Sequence, residues 1–321
     1  MYYRILLSLG IVFLSFKSLH AQQAPVGSEI PVIAIDAGIQ KQTFTYATKD
    51  SLELKLDVYT NAHMPKNSPC MLFVFGGGFI LGTRDDRLYN NYFNNLVKNN
   101  YVVVSISYRL GLKGVKKLSA FKIEPFKHAV EMAVEDLYDA TNWILKNADR
   151  IGVDPSKIIL SGSSAGAIAV LQGSFEKLNN TPISKRLPQA FQYAGTVTFS
   201  GAILSFNGAL KYNVTPPPAM LFHGMDDKLV VYDKIRLFNK GFYGSNHIAK
   251  VYKKHDYPYY MYREEKMGHE ISYRPMQDNI PEILWFLEEY VINKKPYQVE
   301  KTFNNMKRIR TLDVTPKDLY K

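Results

Sequence analysis

Three observations predict an α/β fold with a central, mostly parallel sheet flanked by helices. Apolar runs of strand length alternate with segments of helical periodicity along most of the chain. Two of those runs, residues 70–75 and 102–107, are continuously apolar and rich in β-branched and aromatic residues, the pattern of strands covered on both faces. The chain's 321 residues are 46% hydrophobic, enough apolar material for one large core. No internal repeat or low-complexity tract interrupts it.

The elements come in order. Arg4 and the apolar run 5–16, too short to cross a bilayer, lead into polar residues ending at Ala21. Residues 1–21 are therefore expected to be a secretory signal, which implies an exported, periplasmic or secreted product with no transmembrane segment in the mature chain. Residues 43–48 and 52–59 read as an antiparallel edge hairpin, because Leu52, Leu54, Leu56 and Val58 alternate with polar neighbours after a Lys49-Asp50 turn. Strands at 70–75 and 102–107 bracket a helix at 88–99, and a stronger helix spans 126–147, where Ala129, Ala133, Leu137, Ala140 and Ile144 share a face. Strands at 158–161, 196–204, 219–222 and 259–262 come next, then a closing helix at 281–292. A single domain over 22–293 is expected, with 294–321 as a basic tail that packs on the body or is disordered.

The formal charge of +11 is diffuse in the body and denser in that tail. Since no nucleic-acid reader motif accompanies it, a nucleic-acid partner is not expected. Cys70 is the only cysteine, so an intramolecular disulfide is excluded.

Chemistry concentrates at three places. Gly162-Ser163-Ser164-Ala165-Gly166 has the G-x-S-x-G spacing directly after a strand and before a helical segment, which selects Ser164 as the serine raised on a sharp elbow. Phe75-Gly76-Gly77-Gly78-Phe79 ends the first buried strand, and its bare backbone N–H groups at Gly77 and Gly78, with the amide of Ala165, can line an oxyanion hole. A serine hydroxyl is a weak nucleophile and needs a base oriented by an acid. Asp226 and Asp227 come after the strand 219–222, and His269 lies after the next strand, in the chain order serine, acid, histidine. His223 is expected to end its strand and shape the acid loop, while His247 and His255 fall in a polar stretch and read as solvated; His63 and His128 precede the elbow. No histidine pair has metal-ligand spacing, so neither metal nor other cofactor is expected.

These motifs resemble the α/β-hydrolase superfamily, and within it the carboxylesterases and acetyl esterases. Phe75-Gly76-Gly77-Gly78-Phe79 with Gly82 is similar to the carboxylesterase oxyanion segment. Residues 103–111 are similar to the strand after that segment in carboxylesterases, and Asn142-Trp143-Ile144 through Gly152-Val153-Asp154-Pro155 to the elbow is similar to their succeeding helix and turn. His223-Gly224-x-x-Asp227 resembles the acid loop of smaller esterases and related peptidases, which carries the acid to Asp227, and Gly268-His269-Glu270 matches the histidine loop. The similarity runs from about residue 43 to 291 and implies a Ser164-His269-Asp227 triad acting on a small-molecule or carbohydrate ester. A serine peptidase-like hydrolase and a non-catalytic binding protein of this fold are the alternatives. Phe75 departs from the histidine of hormone-sensitive-lipase-like esterases. Segments 111–125 and 172–194 are the expected pocket walls, with Phe121, Phe126, Phe175 and Phe191 available to line an acyl site.

Overall fold

The computed structural model describes residues 33–49, 51–115 and 123–319. The signal expected over 1–21 lies outside them, as does Phe121.

Strands β1 (Ile39–Lys49) and β2 (Leu52–Asn61) form the expected antiparallel hairpin, with Phe44 opposite Leu56. β1 lies at the sheet's edge and is largely exposed, whereas β2 buries Leu54, Leu56, Val58 and Tyr59. The apolar runs become β3 (Ser68–Val74) and β4 (Val102–Ile106), and β4 is buried along its whole length. β5 (Val153–Ser163), β6 (Gly195–Phe199), β8 (Ala219–Gly224) and β11 (Tyr259–Glu264) continue the series, with β7 (Ala202–Ser205), β9 (Lys234–Leu237) and β10 (Lys240–Gly244) set apart from it. With β12 (Gln298–Phe303) the main sheet has nine strands, in the order β1-β2-β4-β3-β5-β6-β8-β11-β12. Only β1–β2 and β2–β4 are antiparallel; every later pairing is parallel. This is an α/β architecture in which strand carboxyl ends gather on one edge, where such sheets place their sites.

Helix α1 (Asn90–Lys98) covers one face, where Tyr92 meets Phe199 edge-on and Phe199 stacks on Phe222. Helices α2 (Glu124–Ile151) and α3 (Ala165–Leu178) pack against each other and on β5. The apolar stripe of α2 is buried as predicted, and Gly152 ends it in the left-handed conformation that favours glycine at that position. Helix α4 (Ser245–Lys254) packs on β8 and β11. The short α5 (Pro275–Asp278) precedes α6 (Ile280–Phe286), which continues as a π-helical turn, Leu287–Ile292, so the closing helix at 281–292 is of two kinds. Near the end lies α7 (Pro316–Leu319).

Two sequence expectations need correction. The run 196–204 is not one strand: Ser200 takes φ 55°, the chain turns at Gly201, and β7 starts a separate antiparallel sheet with β10 and β9. Ser200-Gly201 marks the bend in the sequence, but burial of both halves gives the two strands one apolar character. His247 does not lie between elements: it belongs to α4, partly exposed, and stacks on Tyr243 with ring centroids 4.8 Å apart. Within the segment read as a basic tail, residues 298–303 pair in parallel with β11, Val299 beside Tyr260 and Phe303 beside Glu264. Among the described residues no helix is long and apolar enough to cross a membrane.

Candidate active site

The elbow is built by steric exclusion. β5 ends at Ser163 and α3 starts at Ala165, leaving Ser164 alone between them at φ 50°, ψ −116°, a conformation that L-residues rarely adopt. Its N–H donates to the Phe199 carbonyl at 2.8 Å, and its carbonyl accepts from Ile168 at 2.9 Å, so both neighbours hold the strained turn in place. A side chain on Gly166 would meet the carbonyl oxygens of Val74 and Phe75 at 2.0 and 2.5 Å, because α3 starts directly against the end of β3. Gly166→Ala should therefore lower the Tm by several degrees or abolish soluble folding, since backbone and not a movable side chain blocks the methyl. Thermal melts check this, and an unchanged Tm would contradict the crowding.

Two adjacent serines are separated by direction. The Ser163 hydroxyl turns away and donates to the Ser272 carbonyl at 2.8 Å, tying the elbow to the histidine loop. The Ser164 hydroxyl lies 2.8 Å from His269 Nε2. His269 opens a short 3-10 turn, His269–Ser272, beyond β11, and its Nδ1 lies 2.8 Å from Asp227 Oδ2. The paired carboxylates separate in the same way. Asp227 is buried, and its Oδ1 accepts from the backbone N–H groups of Leu229 and Val230, each at 2.9 Å. Asp226 is exposed and pairs with Arg310. Ser164, Asp227 and His269, far apart in the chain, are thus joined in one line above the ends of β5, β8 and β11.

Electrostatics support that line. Burial alone would raise the Asp227 carboxyl, but His269 and His223 outweigh it and hold the group well below the usual carboxylate range. His223 ends β8, as expected, fully buried; its Nε2 lies 3.2 Å from the Val230 carbonyl and 3.4 Å from Asp227 Oδ2, and its Nδ1 2.8 Å from Ser245 Oγ. A carbonyl only accepts, so Nε2 carries the proton that also faces the acid. The signal for this second histidine is its position, four residues before the acid at a strand end.

The glycine loop sits against the elbow. Gly76 is placed so that a Cβ would come within 3.3 Å of Ser164 Cβ, and its N–H donates to the Tyr89 hydroxyl at 3.2 Å. Gly77 comes next at φ 112°, where a Cβ would come 2.0 Å from the Leu81 carbonyl oxygen, and then Gly78 at φ 65°. The loop turns after Gly76 through two successive positive-φ glycines, Gly77 and Gly78, while Ala165 supplies the first amide of α3.

Among the described aromatics expected to line an acyl site, Phe126 meets the glycine loop, edge-on to Phe79 at 5.8 Å and to Phe242 at 5.8 Å. Phe175 packs on Tyr212 and Phe191 on Tyr193, away from the elbow, because 187–194 runs back toward the amino end of β6. A groove of about 380 Å³ runs along α2 and α3, with Lys127, Gln172, Ile183, Leu204 and Phe206 among its walls. None of Ser164, Asp227 or His269 lines it.

Comparison with known proteins extends the sequence resemblance. The family model described as BD-FAE matches residues 56–208. Esterase B1 of Culex pipiens is 35% identical over 118 residues, 36% of this chain and 21% of that protein. Para-nitrobenzyl esterase of Bacillus subtilis (strain 168) is 30% identical over 117 residues, 35% of this chain and 23% of that protein. The chain thus spans about a fifth of the length of the curated relatives it matches. Among solved structures, a thermophilic esterase of Thermogutta terrifontis in its propionate-bound form superposes with a TM-score of 0.56 at 20% identity, covering 79% of this chain and 94% of that one.

Proposed function

Starting from a chain with the α/β-hydrolase fold and a carboxylesterase-like core, we propose that it is a serine carboxylesterase in which Ser164 is the nucleophile, His269 the base and Asp227 the acid. The observation that carries this reading is the continuous contact from Asp227 through His269 to the Ser164 hydroxyl, with both links at 2.8 Å. His269 Nε2 takes the hydroxyl proton as Ser164 Oγ attacks the ester carbonyl, and Asp227 fixes the ring's tautomer. The oxyanion is received by the amides of Gly77, Gly78 and Ala165, the alcohol leaves with the proton returned by His269, and water then releases the acid by the same steps.

For the substrate we propose a short acyl ester, acetyl or slightly longer, on a small-molecule or carbohydrate alcohol. The propionate named for the Thermogutta terrifontis esterase and the aromatic group Phe79, Phe126 and Phe242 beside the glycine loop support a small acyl site. Export rests on the composition of residues 1–21.

A fluorophosphonate probe should label the chain at Ser164, and Ser164→Ala should abolish labelling while leaving the fold intact. Labelling that persists in the alanine variant at another residue would remove Ser164 from the nucleophile's place. A panel of acetyl, butyryl and feruloyl esters ranks the acyl group.

A further inference from the structure

A cluster of ion pairs outside the triad lies where residues 308–313 cross the two loops that carry Asp227 and His269. Arg310 reaches the Asp226 carboxylate and also donates to the Lys266 carbonyl, from Nε at 3.2 Å and Nη2 at 2.9 Å. Asp226 stands immediately before the acid, and Lys266 three residues before the imidazole. Asp313 pairs with Lys228 at 3.0 Å and with Arg310 at 3.5 Å. The residues on both sides of Asp227 are therefore linked to one another through Arg310 and Asp313. Alongside, the Tyr273 and Thr311 hydroxyls lie 3.2 Å apart, and Arg308 spans from Asp278 at 2.7 Å to the buried Glu264 at the end of β11, also at 2.7 Å.

We infer that residues 308–313 form a strap that sets the spacing between the acid loop and the histidine loop, with Arg310 as its positioning residue. The inference rests on the esterase reading of the triad. Backbone hydrogen bonds from Met225 to Glu264 and from Asp226 to Met267, both 2.9 Å, already join the loops at their base. The strap closes them at the outer side, where the flanks of Asp227 face solvent. Asp226, Lys228 and Asp313 are each about half exposed, so these pairs add little to global stability. Their effect falls instead on alignment, to which proton transfer is steeply sensitive.

The test uses the full chain with Arg310→Ala and Arg310→Lys, para-nitrophenyl acetate as substrate, and three readouts: steady-state kinetics, the rate of fluorophosphonate labelling, and hydrogen exchange. Arg310→Ala should lower kcat by about five- to twentyfold with KM held within twofold, and slow labelling by the same factor. Exchange should quicken in residues 224–230 and 265–273 while the rest of the sheet keeps its protection. Lysine should recover part of the loss, since it keeps the charge near Asp226 but not the planar fork that also serves Lys266. Added salt should bring the parent's kcat toward that of Arg310→Ala, because half-exposed pairs are screened. A kcat and labelling rate within twofold of the parent would overturn the inference, as would faster exchange spread across the whole sheet with a lowered Tm. If the parent neither turns over ester nor labels at Ser164, the esterase reading fails instead, and the exchange of the two loops still decides whether the strap holds them.

Discussion

Replacing His269 with alanine should lower kcat/KM for an acyl ester by about 10⁵- to 10⁶-fold, almost all of it in kcat. The magnitude reflects the ring's task. Among the described residues it is the group placed to remove the Ser164 proton, at 2.8 Å, and an unassisted alcohol is a poor nucleophile at neutral pH. The activity left would come from the glycine-loop amides and from binding, which do not need the imidazole. Acyl-ester binding does not use the ring either, so KM should move by no more than a few-fold. Steady-state kinetics on para-nitrophenyl acetate, with a thermal melt to show that the variant is folded, make the measurement. A loss below about a hundredfold would mean that another base serves the hydroxyl. His223 is the competitor to examine, but it contacts Ser245, Val230 and Asp227.

Asp227→Asn should cost about 10³- to 10⁴-fold in kcat, because an amide can present N–H to His269 Nδ1 and so select the tautomer that cannot accept the serine proton. Asp226→Asn should cost no more than several-fold, since among the described residues that carboxylate pairs with Arg310 and not with His269. The pair of variants separates two adjacent residues of identical chemistry. Equal losses would contradict the placement of Asp227 as the acid. The same substitution changes acid stability in a defined direction. The Asp227 carboxyl has its folded pKa depressed below its unfolded value of about 3.9, so it contributes stability above that pH and loses it as the pH falls toward the folded value. Acid unfolding of Asp227→Asn should lack this part of the pH dependence below about pH 4, and chemical denaturation at successive pH values reads it.

Much of this arrangement is legible in the residues. The buried parallel strands announce themselves because β3 and β4 are covered on both faces and need apolar side chains throughout. The elbow is legible because Gly166 and its neighbours are forced by backbone crowding. What is illegible depends on backbone pairing or on contacts from far along the chain. β12 is held by hydrogen bonds to β11 and needs only alternate half-buried positions, here Val299, Lys301 and Phe303, a weak pattern among lysines and glutamates. Asp226 and Asp227 are alike in side-chain chemistry, and only the spacing from His223-Gly224 favours Asp227; in the structure burial divides them. β9 and β10 are missed because they span only four and five residues, too short to set a period, and α4 because its apolar Ile248, Ala249, Val251 and Tyr252 stand among lysines.

The separation of 105 positions from Ser164 to His269 also orders events during synthesis. The ribosome finishes the nucleophile's strand and helix well before it makes the base. On the triad proposed above, the elbow serine without that base is an ordinary alcohol and a weak nucleophile. If the proposed triad is right, a chain terminated before His269 lacks its base and gains hydrolytic reactivity only once translation has passed β11.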